Sequence, residues 1–279
     1  MEWTIELWNT AHLITIGVLL VVVLTFGFLM KGKEKNTKNK VLIIISFVNL
    51  AIHFLRLLLP EYKENLPNEY KSVTFDSIAS ALTIMMPFIL ISKNNVMKDF
   101  LFYMGFIAGL ISIVYPLQML GADLQEYDVI RHYICHVLLF TVPFLMVLLG
   151  VHELSIKRVP LFPLMFIVIE CLILANEVIL MEAGFVEFRG GDFLAYNYRN
   201  TSFIFGPTEE YAELCEKLVE PIVPKFFKIV PDGSYQGLEK YLPVLWMIVP
   251  SFAYLGGASL LLSLLFTKVI NKNNSGSNF

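Results

Sequence analysis

Residues 131–150, RHYICHVLLFTVPFLMVLLG, decide the fold. As a helix the run is about one bilayer thickness long, and it carries His132 and His136 at its first end. A spacing of four sets both imidazoles on one helix face, one turn above the other. A polar ring left without a partner in hydrocarbon is strongly disfavoured, so both rings are expected to face the inside of a bundle.

Composition extends that reading to the whole chain. With 56% hydrophobic, 14% aromatic and 16% charged residues over 279 positions, the chain is too apolar for a soluble domain. The expected fold is all-α: a polytopic transmembrane helical bundle of about seven helices with one long extracellular loop. Seven segments approach the roughly 20 residues that a crossing helix needs. They lie near 12–30, 41–60, 73–92, 100–120, 131–150, 159–182 and 243–267. The chain thus divides into six helices in 1–183, an outer loop in 184–242, a last crossing in 243–267 and a cytoplasmic tail in 268–279. The start, MEWTIELWNTAH, has Glu2 and Glu6 where a secretory signal has basic residues, so the first apolar run is expected to be retained.

The formal net charge of −3 gives no sign of nucleic-acid binding, and it is the placement of the lysines that carries information. The first connection, KGKEKNTKNK, has five lysines, and the alternate later ones add Lys93 and Lys98, then Lys157 and Arg158, then Lys268 and Lys272. The opposite side has Lys63 and Lys71 in one connection and Asp123, Glu126 and Asp128 in another. Positive residues stay inside, so the N-terminus is expected outside a cell membrane and the C-terminus in the cytoplasm. The long loop then lies outside. Its second part places Thr208 as an N-cap ahead of Glu209 and Glu210, with Tyr211, Leu214, Leu218 and Ile222 at helical spacing, which predicts a short surface helix ended by Pro221 or Pro224.

Polar residues gather in one layer when depth is counted from the assigned side. The second segment has Asn49, His53 and Arg56 at i, i+4, i+7, and the third has Asp76 and Ser77 in its first two turns. The sixth has Asn176 and Glu177 in its outer third, with Glu170 two turns deeper on the face of Glu177, and His12 opens the first segment beside the level of His132 and His136. Taken singly, each has a structural explanation: a histidine at the interface, or Arg56 paired with Asp76 or Glu177. Taken together they point to a polar cavity opening outward. Gly105, Gly109 and Ser112, and likewise Ala253, Gly257 and Ser259, read as close helix packing, while Pro116, Pro143 and Pro250 are sites for kinks. The His132 and His136 pair lacks the intervening acid of HExxH and a fixed third ligand, so no metal or cofactor is expected. Cys135, Cys171 and Cys215 are too few and too scattered for a disulfide framework.

Several short motifs carry a family resemblance. Ala11-His12-Leu13-Ile14-Thr15, then Tyr133-Ile134-Cys135-His136, Asn176, and Asn197-Tyr198 followed by Pro207 are similar in order and spacing to the YwaF-like integral membrane family. Its eukaryotic relatives are the transmembrane protein 164 group. The resemblance implies a multi-helix membrane protein whose eukaryotic relatives are regarded as phospholipid acyltransferases using a cysteine. It matches His12, His136, Asn176, Asn197 and Tyr198 to family positions. The family's Leu-Pro-Leu-His-Leu-Cys element should fall where this chain reads Ser72-Val73-Thr74-Phe75-Asp76-Ser77. Neither the thiol nor its preceding histidine is present. A thioester at that place is excluded, and Ser77 could form an ester only with a base such as His136 within about 3 Å.

Three functions follow. In an enzyme of lipid or envelope chemistry, His136 is the general base, Ser77 or a bound hydroxyl the nucleophile, Asp76 part of the catalytic set, and Asn176 or Arg56 steadies developing negative charge. In a transporter or binding protein, the pocket of His12, His53, Arg56, His132, Asn176, Glu177, Asn197 and Tyr198 holds a small polar solute, with Asp76, Glu170 and Glu177 as relay carboxylates. In an accessory subunit the outer loop docks a partner. Polar groups confined to one leaflet favour lipid chemistry or binding over alternating access, and membrane lipids with a small molecule are the expected partners.

Overall fold

A computed structural model describes residues 3–59, 62, 70–185, 202–207, 211–229 and 240–275. Among them six helices are long and apolar enough to cross a membrane. The chain forms two compact units: Met1–Leu55 with Leu82–Val159 and Leu260–Phe279, and Arg56–Ala81 with Pro160–Ser259.

In the first unit α1 spans Thr10–Met30. Asn9 caps it, its Oδ1 accepting the His12 amide at 2.9 Å, which satisfies one of the donors a helix start leaves open. Ahead of it the chain pairs with a turn: the Ile5 amide donates to the Ala122 carbonyl at 2.8 Å and the Gly121 amide to the Ile5 carbonyl at 2.9 Å. Leu20, Val21, Leu24, Phe28 and Leu29 lie exposed along α1, as suits a lipid-facing surface.

Helix α2 spans Lys35–Leu55 and begins six residues before the expected segment. The polar stretch taken as a connection is helical because lysine stems can line a helix while their ammonium groups reach past the apolar zone. Lys38 does so, its Nζ donating to the Leu149 carbonyl at 3.2 Å. The buried face of α2 is Leu42, Ser46, Asn49 and His53. Arg56 departs from the expected i+7 position on that face. It opens a 3-10 turn, Arg56–Leu58, that follows the end of α2.

The third expected crossing, 73–92, is shorter in the structure: α3 spans Ile78–Ile91, only 14 residues. Its start is set by Ser77, whose Oγ accepts the Ser80 amide at 3.1 Å. The residues before it turn instead, with the Thr74 amide donating to the Lys71 carbonyl at 3.1 Å. Helices α4, Asn95–Val114, and α5, Tyr127–Leu148, are the closest-packed pair of this unit. A Cβ on Gly105 would sit 2.8 Å from the Leu139 carbonyl oxygen, and one on Gly109 would sit 2.8 Å from the Phe140 nitrogen. Phe102, Phe106, Phe140, Phe144 and Phe266 form an aromatic cluster in which the Phe102 and Phe266 ring centroids are 5.1 Å apart.

In the second unit α6 spans Leu161–Glu182. Helix α7, Ala212–Leu218, is short and is followed by a 3-10 turn, Glu220–Ile222, that accommodates Pro221 at its start. The predicted cap at Thr208, with Glu209 and Glu210, lies outside the described residues. A two-residue antiparallel pair, β1 Lys228–Ile229 and β2 Lys240–Tyr241, has Lys228 opposite Tyr241. Trp246 anchors the return of the chain, its Nε1 donating to the carbonyls of Phe203 at 3.1 Å and Ile204 at 3.2 Å. Beyond Pro250 the backbone takes a π turn, Ser251–Leu255, which packs against α6, and then continues as α8, Gly256–Ser275. A proline removes an amide from the helical ladder, and a π turn is one way to absorb that loss.

Candidate functional site

Four of the predicted site histidines belong to the first unit. His12 is fully buried, and its ring spends both nitrogens on backbone: Nδ1 accepts the Trp8 amide at 2.9 Å and Nε2 donates to the Ile113 carbonyl at 2.9 Å. Ile113 lies in the last turn of α4, where carbonyls lack an intrahelical partner, so His12 closes a helix end. His132 and His136 stack on α5 with centroids 4.0 Å apart and planes tilted by 34°. His136 donates from Nδ1 to the His132 carbonyl at 2.8 Å. That bond fixes the ring and leaves Nε2 as the acceptor nitrogen, the arrangement a general base requires. Gly109 lets α4 approach the backbone of α5 at this level, because a Cβ there would lie 3.0 Å from the His136 carbonyl oxygen. His53 is buried on α2 with its ring edge-on to Phe54 at 5.3 Å. Among the described residues no three His, Cys, Asp or Glu side chains form a group fit to hold a metal.

The second unit gathers most of the other predicted residues into one polar cluster. Lys71 lies with its Nζ 3.7 Å from Asp76 Oδ1 and 3.5 Å from Glu177 Oε1. Glu177 is fully buried, whereas Lys71 and Asp76 are partly open. Asn176 donates from Nδ2 to Thr74 Oγ1 at 3.0 Å. Arg56 donates from Nη1 to Ser72 Oγ at 3.1 Å, and its guanidinium stands 4.8 Å from the centroid of the Tyr62 ring. Residues 71–77 are thereby tied to the second half of α6 through Lys71 with Glu177 and Thr74 with Asn176, and to Arg56 through Ser72. Ser77 stands beside this cluster in a different role. Its hydroxyl donates to Ser80 Oγ at 3.1 Å while accepting the Ser80 amide, and the next amide, Ile78, donates to Ser202 Oγ at 3.0 Å. Asn197 and Tyr198 lie outside the described residues.

Two features escaped the sequence reading. Lys71 enters the sequence only as a topology marker, yet it lies five residues before Asp76 and pairs with both Asp76 and Glu177. The other is a triad in the first unit built on the buried Asp99 and His152 with half-buried Arg158. Asp99 Oδ1 accepts from His152 Nε2 at 2.6 Å, and its Oδ2 accepts from Arg158 Nε at 2.5 Å. Arg158 also donates to the Glu153 carbonyl at 2.8 Å. The hydrogen bond that Arg158 donates to Asp99 raises the Arg158 pKa above its ordinary value and keeps the guanidinium charged. An acid placed five residues into a helix, facing a loop that holds His and Arg, is the sequence signal that would have found it.

The motifs and the helices agree with what comparison shows: the chain matches the model of the TMEM164 family over residues 7–214. The chain belongs to that family. It is a multi-pass membrane protein, and the match spans both the histidine pair and the cluster around Lys71. No curated protein and no solved structure matches it. Within the TMEM164 match, residues 72–77 hold no cysteine, so the polar groups that this member presents there are Ser72, Thr74, Asp76 and Ser77.

Proposed function

We propose that this TMEM164 family member is a lipid-handling protein of the cell membrane, and that the cluster of Arg56, Lys71, Asp76, Asn176 and Glu177 takes a phospholipid head group on the outer side. The observation that carries this reading is Glu177, fully buried in a long apolar helix and yet 3.5 Å from Lys71. Charges are costly to bury, and a fold retains them where a charged ligand will exploit them. The phosphate of a head group meets Arg56 and Lys71, whose donors suit phosphate oxygens, and a cationic head-group end meets Asp76 and Glu177. The lysine asymmetry supports the outward assignment, with the N-terminus outside and the C-terminus in the cytoplasm. Acyl transfer is the activity that the family resemblance adds. Without a thiol, it requires an oxygen nucleophile and a base, and His136, with Nε2 left as an acceptor, is the candidate base for a lipid hydroxyl.

The test compares membranes of cells that lack the chain with cells carrying the wild type, Lys71→Ala, Ser77→Ala or His136→Ala at matched protein levels. Co-purified lipid is read by native mass spectrometry and total lipid by profiling. Lys71→Ala should lower retained phospholipid by about ten- to a hundredfold, since a charge-assisted contact to phosphate is worth about 1.5–3 kcal/mol. Loss of a lipid product with His136→Ala supports transfer onto a bound hydroxyl, and loss with Ser77→Ala alone supports Ser77 as the nucleophile. Equal retained lipid and equal profiles in every strain would sink the reading.

A further inference from the structure

Glu170 lies ten residues into the 22-residue helix α6, far from either end, and is fully buried. Neither of its carboxyl oxygens has a hydrogen-bond partner among the described residues. Its helix neighbours on the buried side are apolar: Phe166, Ile169 and Ile173. Among the described residues a carboxylate in that position has neither a hydrogen-bond donor nor a counter-charge, and both lacks weigh more against the ionised form than against the neutral acid.

The groups that face α6 within its unit do not remedy this. On the helix itself Glu177 lies two turns on, about 10 Å along the axis, and it adds like charge. Lys71 meets Glu177 and Asp76 at that farther level, and Asn176 is bound to Thr74. From the packed π turn Ser251 donates its hydroxyl to the Ile248 carbonyl at 2.8 Å, and Tyr254 donates to the Leu218 carbonyl. Farther along, Ser259 donates to the Gly256 carbonyl at 2.9 Å. A bare metal cation would need several oxygen ligands around the carboxylate, and no such group forms among the described residues.

We infer that Glu170 is a proton-binding site within the membrane-spanning part of α6, occupied by a proton at neutral pH and exchanging it as a single buried acid. The inference is independent of head-group binding: it concerns a different residue, and its readout needs no lipid substrate.

The experiment is infrared difference spectroscopy of the full chain in phospholipid nanodiscs between pH 5 and pH 9, for the wild type and Glu170→Gln. The wild type should show the carbonyl stretch of a protonated carboxyl at pH 7, shifted in heavy water and absent from Glu170→Gln. Identical spectra of the two proteins in that region across the whole range overturn the proposal. Glutamine keeps the shape and removes the ionisation, so Glu170→Gln should fold with the wild-type unfolding midpoint. If it does not fold, the wild type alone decides by labelling with dicyclohexylcarbodiimide, an apolar reagent that adds to carboxyl groups carrying a proton. Modification mapped to Glu170 at pH 7 then upholds the site, and an unmodified Glu170 in protein whose exposed acids at low pH do react overturns it.

Discussion

His12 shows how a residue marked by family likeness can be read two ways. Its place in the motif at the start of α1 suggested a pocket residue, but its two ring nitrogens already serve Trp8 and Ile113. Changing His12 to Ala leaves the buried Ile113 carbonyl and the partly buried Trp8 amide without the ring, which should lower stability by about 1–3 kcal/mol. Scanning fluorimetry in detergent checks this, and an unchanged unfolding midpoint would show that the ring is free for other work. Residue type and burial were legible in the sequence: His12, His53 and His132 are buried, as polar groups on helices in lipid are expected to be. Partners were not legible, because a ring can be satisfied by backbone carbonyls that carry no sequence signature. Ser77 teaches the same lesson. A hydroxyl just before an apolar run is a nucleophile or a helix cap on paper, and here it accepts the Ser80 amide.

At the scale of elements, the small residues of α4 were correctly legible as packing, while the helix ends were not. Lysines at the start of α2 are helical because their stems can lie along the helix, which no count of apolar residues registers. The crossing at 73–92 came out shorter because the cap at Ser77 and the turn at Thr74 end the helical pattern before the apolar run does. The glycines give a graded prediction. Gly109→Ala places a methyl group 2.8 Å from the Phe140 nitrogen and 3.0 Å from the His136 carbonyl oxygen, both backbone atoms that cannot rotate away. It should cost about 1–3 kcal/mol, as overpacking does, and disturb the His132 and His136 stack. Gly27→Ala meets only Leu145 Cδ2, at an ordinary 3.7 Å. It should be neutral or slightly stabilising, because alanine is the better helix former. Unfolding midpoints of the two variants measured side by side decide the matter, and equal values would mean that α4 and α5 do not approach as closely as described.

For the whole molecule, hydropathy alone was enough to establish a multi-pass helical protein, since a chain in lipid has few ways to satisfy its backbone. Which face looks outward is a question of charge. Lysines in the connections after the first, third, fifth and seventh predicted segments oppose an acidic connection holding Asp123, Glu126 and Asp128. Translocating lysines against the membrane potential is unfavourable by about 2 kcal/mol per charge at 100 mV, so five lysines in residues 31–40 outweigh Lys63 and Lys71 on the other side. A single cysteine is therefore placed at Lys35, the first residue of α2, or at Glu126 in the acidic connection, each in a chain with its three native cysteines replaced. A membrane-impermeant maleimide applied to intact cells should label the Glu126→Cys protein and leave Lys35→Cys unlabelled until the cells are opened. The reverse pattern would place the Glu182 end of α6 on the cytoplasmic side, so that any head group taken by Lys71 and Glu177 would come from the inner leaflet.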